Sequence, residues 1–372
     1  GQGGTCACGT CDAGTECNPT TYVCECIPTC VDADSGDEFE CGDDGCGGSC
    51  GTCDYGSCEA NVCVCNPDCD GKDCGTDGCG GTCGTCEENF ACNVDGVCVD
   101  ACDVTAITFT GDLVQKVNYM DIGAGGHPGE ALDVDSDPET CSPEGDCEAG
   151  LNNQLSGLLS QLSSFVDVTA ELESALAGGS VILLAETYGY ATDGTEFTVK
   201  FYLGEPVAAL EDCDIQTAKC DYMVDPTSFD AISCDPIILF ENAHMDGDVL
   251  YAGGPDNLFS VSIPITDGAV ITVTAYMAQV QATVAGEGDA MTWTGGLIGG
   301  AIPKEKIMEA VDQLPPDVVD SLPVSIGMIK NLLDMFIQND VDTDDDGELD
   351  AASVGIKFGT IAGTITGMVT AE

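Results

Sequence analysis

The chain has 372 residues, with 66 acidic side chains against 8 basic ones and a formal net charge of −58. All 8 basic residues are Lys, so no basic patch exists to neutralise phosphates, which excludes nucleic acid and an anionic membrane surface as partners. So much acid is suited to holding divalent cations, to keeping a secreted polymer soluble, or to life in high salt, where screening removes the self-repulsion.

Of the 27 cysteines, 22 fall within residues 1–102. Paired thiols in such number persist outside a reducing cytosol, so the expected compartment is extracellular or the cell surface. Gly1 reads as a processed N-terminus from which an export signal has been removed. The longest apolar runs, such as 181–185 and 237–240, have strand length, so no membrane insertion is expected.

In chain order, residues 1–25 read as a partial cysteine-rich repeat, 26–64 as a first full repeat and 65–102 as a second. Few large apolar side chains occur there, so disulfides must replace the missing core. CGDDGCGGSCGTC (41–53) and CGTDGCGGTCGTC (74–86) match at eleven of thirteen positions. An Asp-Gly turn in each (Asp44-Gly45, Asp77-Gly78) leads into G-C-G-G, where glycines permit the tight folding that brings sulfurs together. Cysteine pairs such as Cys50/Cys53 raise zinc as an alternative, but His is absent from the arm and the intervening cysteines are too many. The second repeat, CNPDCDGKDCGTDGCGGTCGTC, resembles a cysteine-rich repeat of secreted proteins from deltaproteobacteria and their relatives, C-x-P-x-C-x-G-K-x-C-G-x-D-G-C-G-G-x-C-G-x-C. The first repeat departs from it in the acidic insert VDADSGDEFE (31–40). The resemblance implies a secreted spacer or adhesive stalk, not an activity.

Residues 103–372 form a β-rich body. Strands are expected over 104–110, 113–120, 181–190, 195–203, 236–242, 248–251, 258–264, 269–284, 290–298 and 354–366, and helices over 150–166, 169–177, 304–313 and 324–338. In the last helix Ile326, Ile329, Leu333 and Phe336–Ile337 share one face for packing against the sheet. The whole reads as a mostly β chain: small disulfide-stapled N-terminal repeats, then a β-sandwich or jelly-roll-like body with a few helices.

Two acidic loops in the body point to calcium, a hard cation that takes oxygen ligands from alternate positions of a turning chain. In DTDDDGELDAAS (342–353), Asp342, Asp344 and Asp346 hold the first, third and fifth positions of an EF-hand-like loop and Gly347 the sharp turn. Glu348 and Asp350 are further ligand candidates, while Ser353 replaces the bidentate Glu at the last position. Asp133, Asp135 and Asp137 repeat the spacing before the helix expected at 150–166. Such calcium would be structural, cancelling carboxylate repulsion and locking a helix to the sheet.

Among the five body cysteines, Cys141 with Cys147 and Cys213 with Cys220 are expected to close small loops, leaving Cys234 as a buried free thiol or an intermolecular bridge. Catalysis finds little support. His127 and His244 are the only histidines, no G-x-S-x-G elbow occurs, and GGLIGG (295–300) lacks the basic help that phosphate binding needs. Trp293 with Tyr188, Tyr190 and Tyr202 could form a sugar platform, although aromatics on strands are more often core. The expected function is therefore a non-enzymatic, self-assembling subunit of an extracellular fibre, sheath or surface layer. The alternative is a monomeric adhesin that binds extracellular glycans on a cysteine-rich stalk; a secreted hydrolase ranks below both.

Overall fold

The computed structural model describes residues 30, 40–44, 46, 48–51, 53, 56–121, 130–136, 151–156, 168–266, 269–312, 326–344 and 346–370, with strand pairs at 5–6, 9–10, 15–17 and 24–26. The chain divides into two compact units, Gly1–Ala101 and Cys102–Glu372.

The first unit is a series of two-stranded hairpins: β1 (Thr5–Cys6) with β2 (Gly9–Thr10), β3 (Thr15–Cys17) with β4 (Cys24–Cys26), β5 (Ser57–Glu59) with β6 (Val62–Val64), β7 (Gly75–Thr76) with β8 (Thr82–Gly84), and β9 (Phe90–Cys92) with β10 (Cys98–Asp100). Strands of two or three residues cannot stand alone in water. In the second repeat the bonds are Cys65–Cys79, Cys69–Cys83, Cys74–Cys92 and Cys86–Cys98. In the first they are Cys30–Cys50, Cys41–Cys58 and Cys53–Cys63, equivalent to the last three of the second, and Cys46 is also disulfide-bonded. The logic is common to both. Cys58 faces Cys63 across one hairpin and Cys92 faces Cys98 across the other, yet each is bonded back to an earlier segment, so both strands are stapled down. Cys41 and Cys74, each 1% exposed, take the place of an apolar core.

In the second unit, eight strands form a barrel: β11 (Leu113–Asp121), β12 (Leu183–Tyr188), β13 (Phe197–Pro206), β15 (Ile238–Asp246), β16 (Val249–Gly253), β18 (Ala269–Ala285), β19 (Thr292–Pro303) and β20 (Ala351–Ala362). Each pairs antiparallel with the next, and β20 returns to β11. Three strands are excursions from this meander: β14 (Asp221–Val224), β17 (Phe259–Thr266) and β21 (Thr364–Met368). The mostly β chain with a disulfide-stapled N-terminal region and a β-rich body is as expected, and within the body the sheet closes into an up-and-down barrel where a sandwich or jelly-roll-like arrangement was expected. Hydrophobic alternation specifies a buried face but not whether two sheets stack or one sheet closes, and here β12 pairs with both β11 and β13 and closes it.

The interior is filled by alternate residues such as Phe201, Phe240, Val280, Trp293, Ile356 and Phe358. GGLIGG lies within β19, where a Cβ on Gly296 would fall 2.6 Å from the Phe358 ring, so the glycine makes room for core. Helix α1 (Val168–Gly178) adds the fully buried Leu172 and Leu176 to the same core and ends at Gly179, whose φ of +72° suits a left-handed cap. Helices α2 (Lys304–Asp312) and α3 (Ile326–Phe336) follow β19, and Leu333 and Ile337 are buried as the helix periodicity implies.

A second apolar layer covers part of the outer wall, where Leu184, Tyr202 and Ile182 meet Tyr222, Phe229 and Ile215. It is locked by Cys102–Cys234 and Cys213–Cys220. Cys234 is therefore neither free nor intermolecular, and Cys102 belongs to the body. Parity misassigned both, because a sequence cannot show that residues 132 positions apart lie side by side. Cys141 and Cys147 lie outside the described residues. The total of 27 is odd, so the unmatched cysteine falls before Cys30 or at Cys141 or Cys147.

Other expectations move at their edges. Residues 104–106 form a 3-10 turn, not a strand, capped by Asp103 accepting from Thr105 N. The strand expected over 354–366 breaks at Gly363 into β20 and β21, and β14 was missed because four residues carry little alternation. Only 151–156 of the helix expected at 150–166 lie within the described residues.

Candidate functional site

The acidic loop follows α3 and leads into β20. Oxygens of Asp342, Asp344 and Asp346 lie within 4.8 Å of one another. The backbone builds the cluster: Asp342 Oδ2 accepts from Gly347 N (2.7 Å), Asp344 Oδ1 from Asp346 N (3.3 Å) and Asp346 Oδ1 from Glu348 N (2.8 Å). Gly347 has φ +93°, a turn that other residues rarely make. The charge of Asp346 raises the Asp344 pKa, with desolvation and the charges of Asp350 and Asp342 adding to it.

The remaining candidates do not join this cluster. Asp350 accepts from Thr343 N and Thr343 Oγ1 (2.9 and 2.7 Å). Ser353 is fully buried, donating from its N and Oγ to Asp340 (2.7 and 2.6 Å) and accepting from Gln154 N (2.9 Å). The last EF-hand position has thus become a barrel position. Glu348 is exposed and stands outside the oxygen cluster. Asp133 and Asp135 lie in a short loop against the outer wall, where Val134 N donates to Asn152 Oδ1 (3.3 Å) and Gln279 Nε2 donates to Val134 O (3.1 Å). Asp137 lies outside the described residues, as does His127.

The two sulfur clusters of the arm, Cys41/Cys53/Cys63 and Cys74/Cys86/Cys98, consist of oxidised pairs, so their cysteines are not thiolate ligands.

A groove of about 340 Å³ runs along the outer barrel wall between Asp133 and the strands β15, β16 and β18. Residues of these three adjacent strands line it. His244 and Tyr251 are cross-strand neighbours whose rings stack at 5.7 Å and 19°. Beside them Asn242 clasps the backbone of Gly253, accepting from its N (3.0 Å) and donating to its O (2.8 Å). Gln279 and Gln281 complete the floor. The proposed sugar platform is not made by the residues first considered: Trp293 and Tyr202 are each 1% exposed, and Tyr190 packs edge-on to Phe197. The pairing of His244 with Tyr251 was not legible, because it depends on the β15–β16 register.

Sequence reasoning also missed two buried polar groups. Glu186, 1% exposed, accepts from Gly111 N, Tyr188 OH and Tyr202 OH (2.7, 2.6 and 3.2 Å). Burial, then Glu186, pushes the Tyr188 pKa to about 12. The side chain thereby ties the segment entering β11 to the barrel wall. Lys116 is 0% exposed, and its Nζ meets no hydrogen-bond partner among the described residues. Burial lowers its pKa to about 8, against the opposing charge of Asp214.

Against known proteins, no family model, curated protein or solved structure matches this chain.

Proposed function

We propose that this chain is a non-catalytic structural subunit of an extracellular fibre, sheath or surface assembly, held by disulfides and calcium. The observation that carries this reading is the construction of the arm. Its repeats close loops with bonds 10 to 20 residues apart, so that the stalk cannot be drawn out without breaking covalent bonds. Such a segment suits a part that bears tension or proteolysis outside the cell. Calcium enters at Asp342, Asp344 and Asp346, where a divalent cation would relieve the crowding that raises the Asp344 pKa. Asp133 and Asp135 are the second candidate pair.

The test is the mass of the native oxidised protein on a non-reducing gel and by sedimentation, with calcium and after chelation. High-mass material that shrinks on chelation, and fails to form in Asp342→Asn/Asp344→Asn, supports the reading. A monomer under every condition overturns it. The groove with its His244–Tyr251 stack favours a second reading, an adhesin binding extracellular glycans, since an aromatic face beside amide side chains suits a sugar ring. Glycan-array binding by the monomer, lost in Tyr251→Ala, would select it.

A further inference from the structure

We propose that copies of this chain join head to tail through strand addition, the free edge of β17 in one copy pairing with the free edge of β21 in the next. The inference rests on the polymer reading above and names its interface.

A closed barrel has no edges to offer. Among the described residues of the second unit, open edges therefore belong to the excursions and to the part of β18 that runs past β19. β14 is paired on both sides, by β13 and β21. Among strands, β21 pairs only with β14 and β17 only with β18, while helix α1 also packs against β17. β17 and the first part of β18, residues 269–275, form a ribbon that continues beyond the point where Ala301 faces Tyr276, with α2 packed against β18. Pro264 lies within β17, a residue that sheets accept on edge strands because it has no N–H to give.

Charge selects the occupant. In a chain of net charge −58, a second copy can approach closely only where charge is missing. Between Asp256 and Glu287 the sole charged residue is Asp267, and residues 358–371 contain none. These two segments carry the two open edges. Neither β17 nor β21 itself carries a charged residue, the usual protection of an exposed edge, and Pro264 is the one edge-blunting residue on β17.

The register then sets the geometry. β20 begins with Ala351 opposite Pro303, at the end from which the ribbon leaves, and finishes with Ala362 opposite Gln115, at the other end, where β21 starts. Donor and acceptor thus leave opposite ends of the barrel. A heterologous contact of this kind repeats without closing and yields an open polymer. Because like-charged bodies are brought together, salt or divalent cations should promote growth.

The experiment uses the full-length oxidised chain, followed by sedimentation and electron microscopy at rising sodium chloride and calcium. Ser262→Lys places a charge on β17, and Thr366→Lys, at an exposed position, places one on β21. Each variant alone is expected to stay monomeric. A mixture of the two is expected to stop at dimers, since each variant retains one working edge. Hydrogen exchange on the native polymer should show new amide protection in 259–266 and 364–368, a readout that does not depend on the variants folding. Polymers that form equally well in both variants, dimers of either variant alone, or protection confined to other segments would overturn the proposal while leaving the polymer reading intact. A native chain that stays monomeric in salt and calcium removes both.

Discussion

The two units of this chain are both β structure, and they solve the same problem by opposite means. The arm has strands of two or three residues, one bond between sulfurs for every few turns and almost no apolar burial. The body has strands of up to 17 residues around a shared apolar interior, with two disulfides among its described residues confined to one outer layer. Where a sheet closes on itself, burial suffices and cross-links are accessory. Where it cannot, covalent bonds carry the fold.

Reduction should separate the two with the largest effect available. Each arm bond closes a loop worth about 3 kcal/mol in the chain-entropy model, and no core exists to compensate its loss. Mild thiol treatment is expected to unfold residues 1–101 completely while the barrel keeps its circular dichroism and near-ultraviolet signal from the buried Trp293. Limited proteolysis would then trim the arm and leave a fragment beginning near Cys102. A body that melts together with the arm would erase the contrast.

The second test lies wholly in the body. Lys116 is charged in the unfolded chain up to its ordinary pKa of 10.5, but only up to about 8 in the fold. Between those values the unfolded state binds more protons, so stability should rise with pH across that window. Below pH 8 the buried cation costs up to about 3 kcal/mol, the full shift taken as free energy. Lys116→Met should therefore raise the unfolding midpoint at neutral pH, and the gain should shrink as pH rises toward 10. An equal gain at both ends of the window would trace it to packing instead of charge.

Legibility followed the same division. In the arm, spacing alone marked the repeat and its hairpin turns, because each unit is local and Asp44 and Asp77 act within four residues. In the body, alternation placed most barrel strands to within a few residues, since inward positions such as Val280 and Ala282 are apolar while Gln279 and Gln281 face out. Closure of the barrel, the bond from Cys102 to Cys234 and the His244–Tyr251 stack were not legible, for all three depend on register between distant segments. The acidic loop was legible in part. Its three leading Asp residues converge as their spacing implies, but Ser353 was drawn into the sheet by β20, which no loop pattern can foresee.

The smallest expected effect probes what the arm owes to hydrogen bonds once its sulfurs are paired. Asp77 Oδ1 accepts from Cys79 N (2.8 Å) and Gly81 N (2.9 Å), and Asp44 Oδ1 makes the same two bonds to Cys46 N and Gly48 N (2.8 and 2.9 Å). Each carboxylate thus turns the chain that delivers one cysteine to its partner. Both sites are solvated, so removing one should cost about 1 kcal/mol. In the oxidised protein, Asp77→Ala is expected to leave the fold intact and to change only local hydrogen exchange near Cys79 and Gly81. During oxidative refolding the same variant should slow formation of Cys65–Cys79 and enrich mispaired species, because no sulfur yet holds the turn. Mass mapping of the early disulfides reads this directly. An unchanged distribution would mean that cysteine spacing alone directs pairing, and that the Asp-Gly turns follow the sulfurs instead of guiding them.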